Sequence, residues 1–287
     1  MTYLLLAIAS SLGIGVIFKV ASLRQVARVP LLAVNYLVAA LIGVGLVVSS
    51  GSTFAPSLNA QFLLFALSVG GLLIGSFFLF ALATDKAGMS ITMAVMRTGV
   101  SIPFLVSWMA WGEIPSVAQW IGFGLVVGAL VFLTQPTGGK GTKRPDGASI
   151  LLLLAVFLGG GLGDLSFKAF DVWFAPSVDG HVFLVFAFGL AFLVSVVLLA
   201  RRAPGDRFPR RDAWMVGLLL GGVNYASILF VLGAVARLPA IVVFPTISVS
   251  VVVGGAVLGV VIWRERLSPT NLVGIGLAAA SVLLLKG

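Results

Sequence analysis

Few charges interrupt the long apolar runs of this chain, and chemistry is confined to those few. Arg97 lies near the centre of an apolar segment predicted over 88–110, and Asp164 and Lys168 lie in another over 149–170. An arginine at the centre of a bilayer costs from about 2.5 to more than 10 kcal/mol, so it must face a cavity or a partner. A carboxylate or phosphate on a ligand would meet its guanidinium through two parallel hydrogen bonds. A structural ion pair would satisfy it equally. Asp164 is the one carboxylate well inside a predicted span, which makes it the candidate for proton coupling. Asp164 and Lys168 stand four residues apart, on one face of a helix, where they can pair. Lys19 and Lys168 can also snorkel to the membrane surface.

Uncharged polar groups form a second set. Asn35 and Tyr36 fall early in a span over 30–49, and Asn224, Tyr225 and Ser227 fall in the middle of one over 213–235. Amide and phenol groups orient a substrate in an apolar cavity; they also tie membrane helices together. Trp108 is the tryptophan placed to reach a cavity, the others flanking spans as interfacial anchors do. Pro103 and Pro245 interrupt their spans and are candidates for gating or kinking, because proline frees backbone carbonyls. Several GxxxG pairs, among them Gly159/Gly163 and Gly217/Gly221, allow close helix approach.

Composition dictates the elements that hold these residues. Sixty per cent of the 287 residues are hydrophobic and 9% are charged, with a mean hydropathy of +1.18. A soluble domain carries about 25% charge, so lipid is the solvent. The apolar runs are too long, and alternate too little, for a membrane barrel. There is no cysteine and a single histidine, His181, which excludes thiolate and multi-histidine metal sites. No nucleotide-binding motif occurs, and Gly159-Gly160-Gly161 lacks the Lys-Ser/Thr of a phosphate loop. No cofactor or metal is expected, and no catalytic constellation stands out. The net charge of +9 resides in loops between spans, which speaks for lipid headgroups rather than nucleic acid.

Ten spans are predicted, near 3–21, 30–49, 60–83, 88–110, 117–134, 149–170, 181–200, 213–235, 239–262 and 269–286. Trp111, Glu113, Ser116, Gly122 and Gly124 recur as Trp263, Glu265, Ser268, Gly274 and Gly276, always 152 residues later. Seven of the 23 positions from Trp111 to Leu133 are identical at that offset, more than biased composition supplies. Residues 1–134 and 149–287 are therefore two five-helix repeats, with 135–148 as linker. Five is odd, so the second repeat enters the membrane inverted, an arrangement frequent in secondary transporters. Glu113 and Glu265 are expected to cap the helices that follow them. Thirteen basic residues fall in the odd loops, while the even loops and termini hold Arg237 and Lys286. The positive-inside rule places the odd loops in the cytoplasm and both termini outside.

The Trp-x-Glu, Ser and Gly-x-Gly ends of both halves, with Phe244-Pro245, resemble the drug/metabolite transporter superfamily, in particular its EamA-type ten-helix members. That resemblance implies an all-α polytopic permease of the plasma membrane, with two inverted halves around a central cavity. Similar proteins move amino acids, nucleotide sugars, sugar phosphates, drugs or dyes, and many place both termini in the cytoplasm. Many also carry a Trp in the first span and an Arg in the second; here the first lacks Trp and the second offers Asn35-Tyr36. The residues point to a carrier of a small anionic or zwitterionic metabolite, held by Arg97, with Asn35, Tyr36, Asn224, Tyr225 and Trp108 lining the site. It would act as monomer or homodimer. Two readings stand beside it: an exporter of drugs or lipid head groups, and a non-transporting membrane assembly protein.

Overall fold

A backbone in lipid must satisfy its own hydrogen bonds, and the helix does so within one segment. The computed structural model describes residues 1–54, 59–87, 89–133, 147–202, 210–264 and 268–285. Every element among them is a helix: α1 Thr2–Leu23, α2 Arg28–Ser49, α3 Ala60–Ala87, α4 Met89–Thr98, α5 Ser101–Trp111, α6 Val117–Leu133, α7 Gly147–Trp173, α8 Gly180–Ala200, α9 Arg211–Val235, α10 Ala240–Trp263 and α11 Pro269–Leu285. Most of the predicted linker, with Glu265, Lys140, Lys143, Arg144, Arg207, Arg266 and Lys286, lies outside the described residues. Eight segments, counting 91–111 as one, are long and apolar enough to cross a membrane. Two shorter apolar helices, α6 and α11, have 17 residues each. Large apolar side chains such as Val48, Leu64, Val261 and Leu283 are exposed, as lipid contact requires. The chain has the composition and helix lengths of a multi-pass membrane protein.

The predicted span over 88–110 is divided in two. Pro103 has no N–H and its ring excludes the carbonyl four residues earlier, that of Gly99. The helix is interrupted there, at Gly99-Val100 rather than at Pro103, which sits buried inside α5. Hydroxyls meet the freed carbonyls: Thr98 Oγ1 donates to the Val95 carbonyl at 2.8 Å and Ser101 Oγ to that of Thr98 at 2.8 Å. The Ile102 N–H closes a tighter turn on the Gly99 carbonyl at 2.9 Å. Pro245, by contrast, lies within a continuous α10.

The helices sort into two compact units. The first comprises 1–74 and 169–234, the second 75–168 and 235–287, so α3 and α7 each contribute to both. In the first unit α2 packs on α8. A Cβ on Gly43, late in α2, would meet Val185 and approach the His181 carbonyl, early in α8, so the two run antiparallel. Gly217 and Gly221 let α9 lie on α2, where added Cβ atoms would stand 2.6 Å from Val34 and 2.7 Å from the Asn35 carbonyl. In the second unit α6 packs on α11. The Asn271 amide at the start of α11 donates to the Leu133 carbonyl at the end of α6, at 3.2 Å. Gly122 near the start of α6 faces Leu285 at the end of α11, so this pair is antiparallel too.

Local geometry recurs at the sequence offset. Helix α5 ends on Gly112 (φ 69°) and α10 on Arg264 (φ 55°), both left-handed, and their N–H groups return to the carbonyls of Ser107 and Gly259. Each pair is 152 residues apart. Ser116 and Gln119 form a reciprocal capping box at α6, with bonds of 2.9 and 3.2 Å. Ser268 and Asn271 repeat it at α11, with bonds of 3.0 and 3.2 Å. These boxes, not Glu113, cap α6 and α11. Glu113 caps a different helix, described below.

The break in α4–α5 abuts the glycines of α7. A Cβ on Gly161 would stand 2.5 Å from the Gly99 carbonyl oxygen, whereas one on Gly163 would meet nothing within 4 Å. Gly161→Val should therefore lower the melting temperature in detergent, by the equivalent of about 1–3 kcal/mol of overpacking. Gly163→Ala should leave it unchanged or raise it by up to about 1 kcal/mol. Equal melts for the two variants would contradict this crossing.

Candidate functional site

The interruption at Gly99 places Arg97 in the last turn of α4. A cation there opposes the negative end of the helix dipole. The side chain is half-buried, and its Nε is enclosed without a hydrogen-bond partner. Arg97 and Asp164 act on each other electrostatically. Asp164 is half-buried on α7, three residues beyond the Gly161 crossing, which brings α7 against the α4–α5 break. A guanidinium with an open donor, and a carboxylate within electrostatic reach, can take an anionic group on one side and a cationic group on the other.

Lys168, one turn beyond Asp164, pairs with Glu113 rather than with solvent. Its Nζ lies 3.3 Å from Glu113 Oε1, and the two side chains are only 12% and 13% exposed. Glu113 Oε2 also accepts the Ile241 N–H at 3.0 Å, in the first turn of α10. That position suits an anion, because first-turn N–H groups lack intrahelical acceptors. Glu113 thus joins the end of α5, the body of α7 and the start of α10. The sequence signalled the carboxylate through its recurrence at position 265, but not its partners, which come from helices 55 and 128 residues away along the chain.

The amide and phenol residues belong to the first unit. Asn35 is 1% exposed, and its Oδ1 accepts from Asn224 Nδ2 at 3.2 Å. Tyr36 is buried, and its hydroxyl donates to the Leu73 carbonyl at 3.4 Å. Tyr225 is buried with its hydroxyl 2.5 Å from His181 Nδ1. Asp179 accepts the His181 backbone N–H and the Ser52 hydroxyl, joining the loop after α2 to the start of α8. These groups are engaged with other helices. Asn224, half-buried, is the one of the four with open surface. Trp108 is 39% exposed and meets Trp120 edge-on at 5.1 Å. Arg97, Asp164, Trp108, Pro103 and Pro245 fall in the second unit, and the Asn–Tyr pairs in the first.

No family profile matches the chain. It is 27% identical over 300 aligned positions to an uncharacterised protein of Haemophilus influenzae, covering 98% of this chain and 96% of that one. A crystal structure with 16% sequence identity superposes with a TM-score of 0.81, over 99% of this chain and 94% of its own. At that identity the match speaks to the fold alone, and the fold is one that nature uses elsewhere at the same size.

The Asn35–Asn224 contact gives a quantitative expectation. A double-mutant cycle with Asn35→Leu and Asn224→Leu should return a coupling of about 0.6 kcal/mol, and under about 2. A coupling near zero would remove the hydrogen bond as a link between α2 and α9.

Proposed function

We propose that the protein is a secondary carrier for a small anionic or zwitterionic metabolite, with Arg97 as the anchor for its acidic group. The observation that carries this reading is the state of Arg97: its helix is interrupted two residues on, at Gly99, its Nε is enclosed without a partner, and the Asp164 carboxylate acts on it electrostatically. A purely structural arginine would spend its donors on protein acceptors. In this reading Asp164 balances the charge of the empty site and is the residue through which protons couple.

The carrier reading also rests on architecture. Ten apolar segments, α4 and α5 counting as one, form two five-helix repeats of 1–134 and 149–287. The same caps and capping boxes at an offset of 152 support the repeat. Two packed pairs, α2 with α8 and α6 with α11, start 152 residues apart and run antiparallel, as inverted copies must. The EamA-type resemblance and a plasma-membrane location with the odd loops in the cytoplasm complete the proposal. Export of cationic drugs is the second reading. It is favoured by the aromatic cluster Phe104, Trp108, Trp120 and Phe123.

A thermal-shift screen of the purified protein against amino acids, organic acids, sugar phosphates and cationic dyes tests both. Saturation a hundredfold above the dissociation constant stabilises the folded state by about 2.7 kcal/mol. An anionic or zwitterionic ligand should stabilise the parent protein and fail with Arg97→Ala. Stabilisation by dyes alone, in both proteins, would replace the metabolite reading with the drug reading.

A further inference from the structure

The first unit gathers arginines at one end. Arg24 caps α1 and Arg28 begins α2, Arg201 and Arg202 follow α8, and Arg210 and Arg211 open α9. Packing brings these places together. Ile17 and Ala21 late in α1, Leu31 early in α2, and Val216 and Leu220 early in α9 form one buried cluster. A Cβ on Gly217 would meet Val34, and one on Gly221 would meet Val38, so α9 runs parallel to α2 and both start at this end. Helix α8 runs antiparallel to α2 and finishes here. Six arginines thus gather where Asp212 is the one carboxylate described in these segments. Arg24, Arg28, Arg201, Arg210 and Arg211 are all exposed. Like charges held together repel, so the cluster calls for an anion from outside the chain.

We propose that this end of the first unit binds an acidic phospholipid, with the phosphate on the arginines and the acyl chains on the apolar helix surface below them. Apolar exposure beside the charges favours a lipid over a soluble anion. Leu23 is exposed next to Arg24. Trp214 and Leu218 are exposed on α9, three and seven residues beyond Arg211 and on its side of the helix. A headgroup on Arg211 therefore has its chains along Trp214 and Leu218. Tryptophan is also the side chain that settles at headgroup depth. All six cations are arginine, whose planar fork meets two phosphate oxygens at once, where lysine offers a point charge. Each basic residue near an acidic membrane surface strengthens binding about fivefold. The lipid site is independent of Arg97 and of transport.

Native mass spectrometry tests this on the purified full-length protein in neutral detergent, titrated with phosphatidylglycerol or phosphatidylcholine of equal chain length. Phosphatidylglycerol should bind about tenfold more tightly, or better. Arg24→Gln and Arg211→Gln should each weaken it about fivefold. Each removes one exposed charge, so the loss reads binding rather than folding. Arg24→Gln, Arg28→Gln and Arg211→Gln together should erase the preference between the two lipids. Arg237→Gln, beyond the other end of α9, should bind as the parent does. Equal affinity for the two lipids overturns the site, as does a preference that survives the triple variant or one that is lost in Arg237→Gln. Glycerol phosphate, a phosphate headgroup without chains, should fail to displace the lipid at equal concentration. Displacement would overturn the lipid assignment in favour of a soluble phosphate.

Discussion

A guanidinium inside an apolar helix bundle has to be compensated, and Arg97 imposes that requirement on everything around it. The bilayer supplies no acceptors, so the acceptor must come from protein or from a ligand. Asp164 supplies a charge of opposite sign on α7. The approach of α7 is possible because Gly161 presents no side chain to the Gly99 carbonyl. The helix that bears Arg97 stops one residue later, at Thr98, next to the Gly99 carbonyl that Pro103 withdraws from the ladder. A small sequence change, proline for any residue with an N–H, thus sets the boundary of α4 and with it the place of Arg97.

The remaining charges extend the same logic. Lys168 and Glu113 are nearly enclosed, and each offsets part of the cost of burying the other. The N-terminus of α10 adds a third favourable partner to Glu113. Buried ion pairs are weak devices for stability, since well-packed apolar residues often serve as well. The first unit is built differently. Amides, phenols and an imidazole are joined pairwise across α2, α8 and α9, and glycines let α9 lie on α2.

Much of this architecture was legible from sequence. Apolar run length placed the helix ends within four residues, because in lipid the span and the hydrogen-bonded segment coincide. The 152-residue recurrence marked positions that share caps: Gly112 with Arg264, and Ser116 with Ser268. The Ser-x-x-Gln spacing at Ser116 was a capping-box signal, and it displaces Glu113 from the role its neighbouring position suggested. The break at Gly99 was foreshadowed by Pro103 but set four residues upstream, since proline acts on the carbonyl of the preceding turn. Lys168 with Glu113, and Tyr225 with His181, were not legible. They join side chains from distant helices, and no local spacing records which helix faces which. Among the sites first singled out, burial separates Tyr36 and Tyr225, closed into packing, from Arg97, Asp164 and Asn224, which keep open surface.

In the carrier proposed above, Arg97 holds the transported solute. Counterflow measures it most directly: purified protein is reconstituted into liposomes loaded with an unlabelled amino or organic acid, and uptake of the radiolabelled compound is followed outside equilibrium. Saturable, transient accumulation above empty liposomes is expected, and it should disappear in Arg97→Gln while the protein remains folded and inserted. Accumulation that persists undiminished in Arg97→Gln would contradict it.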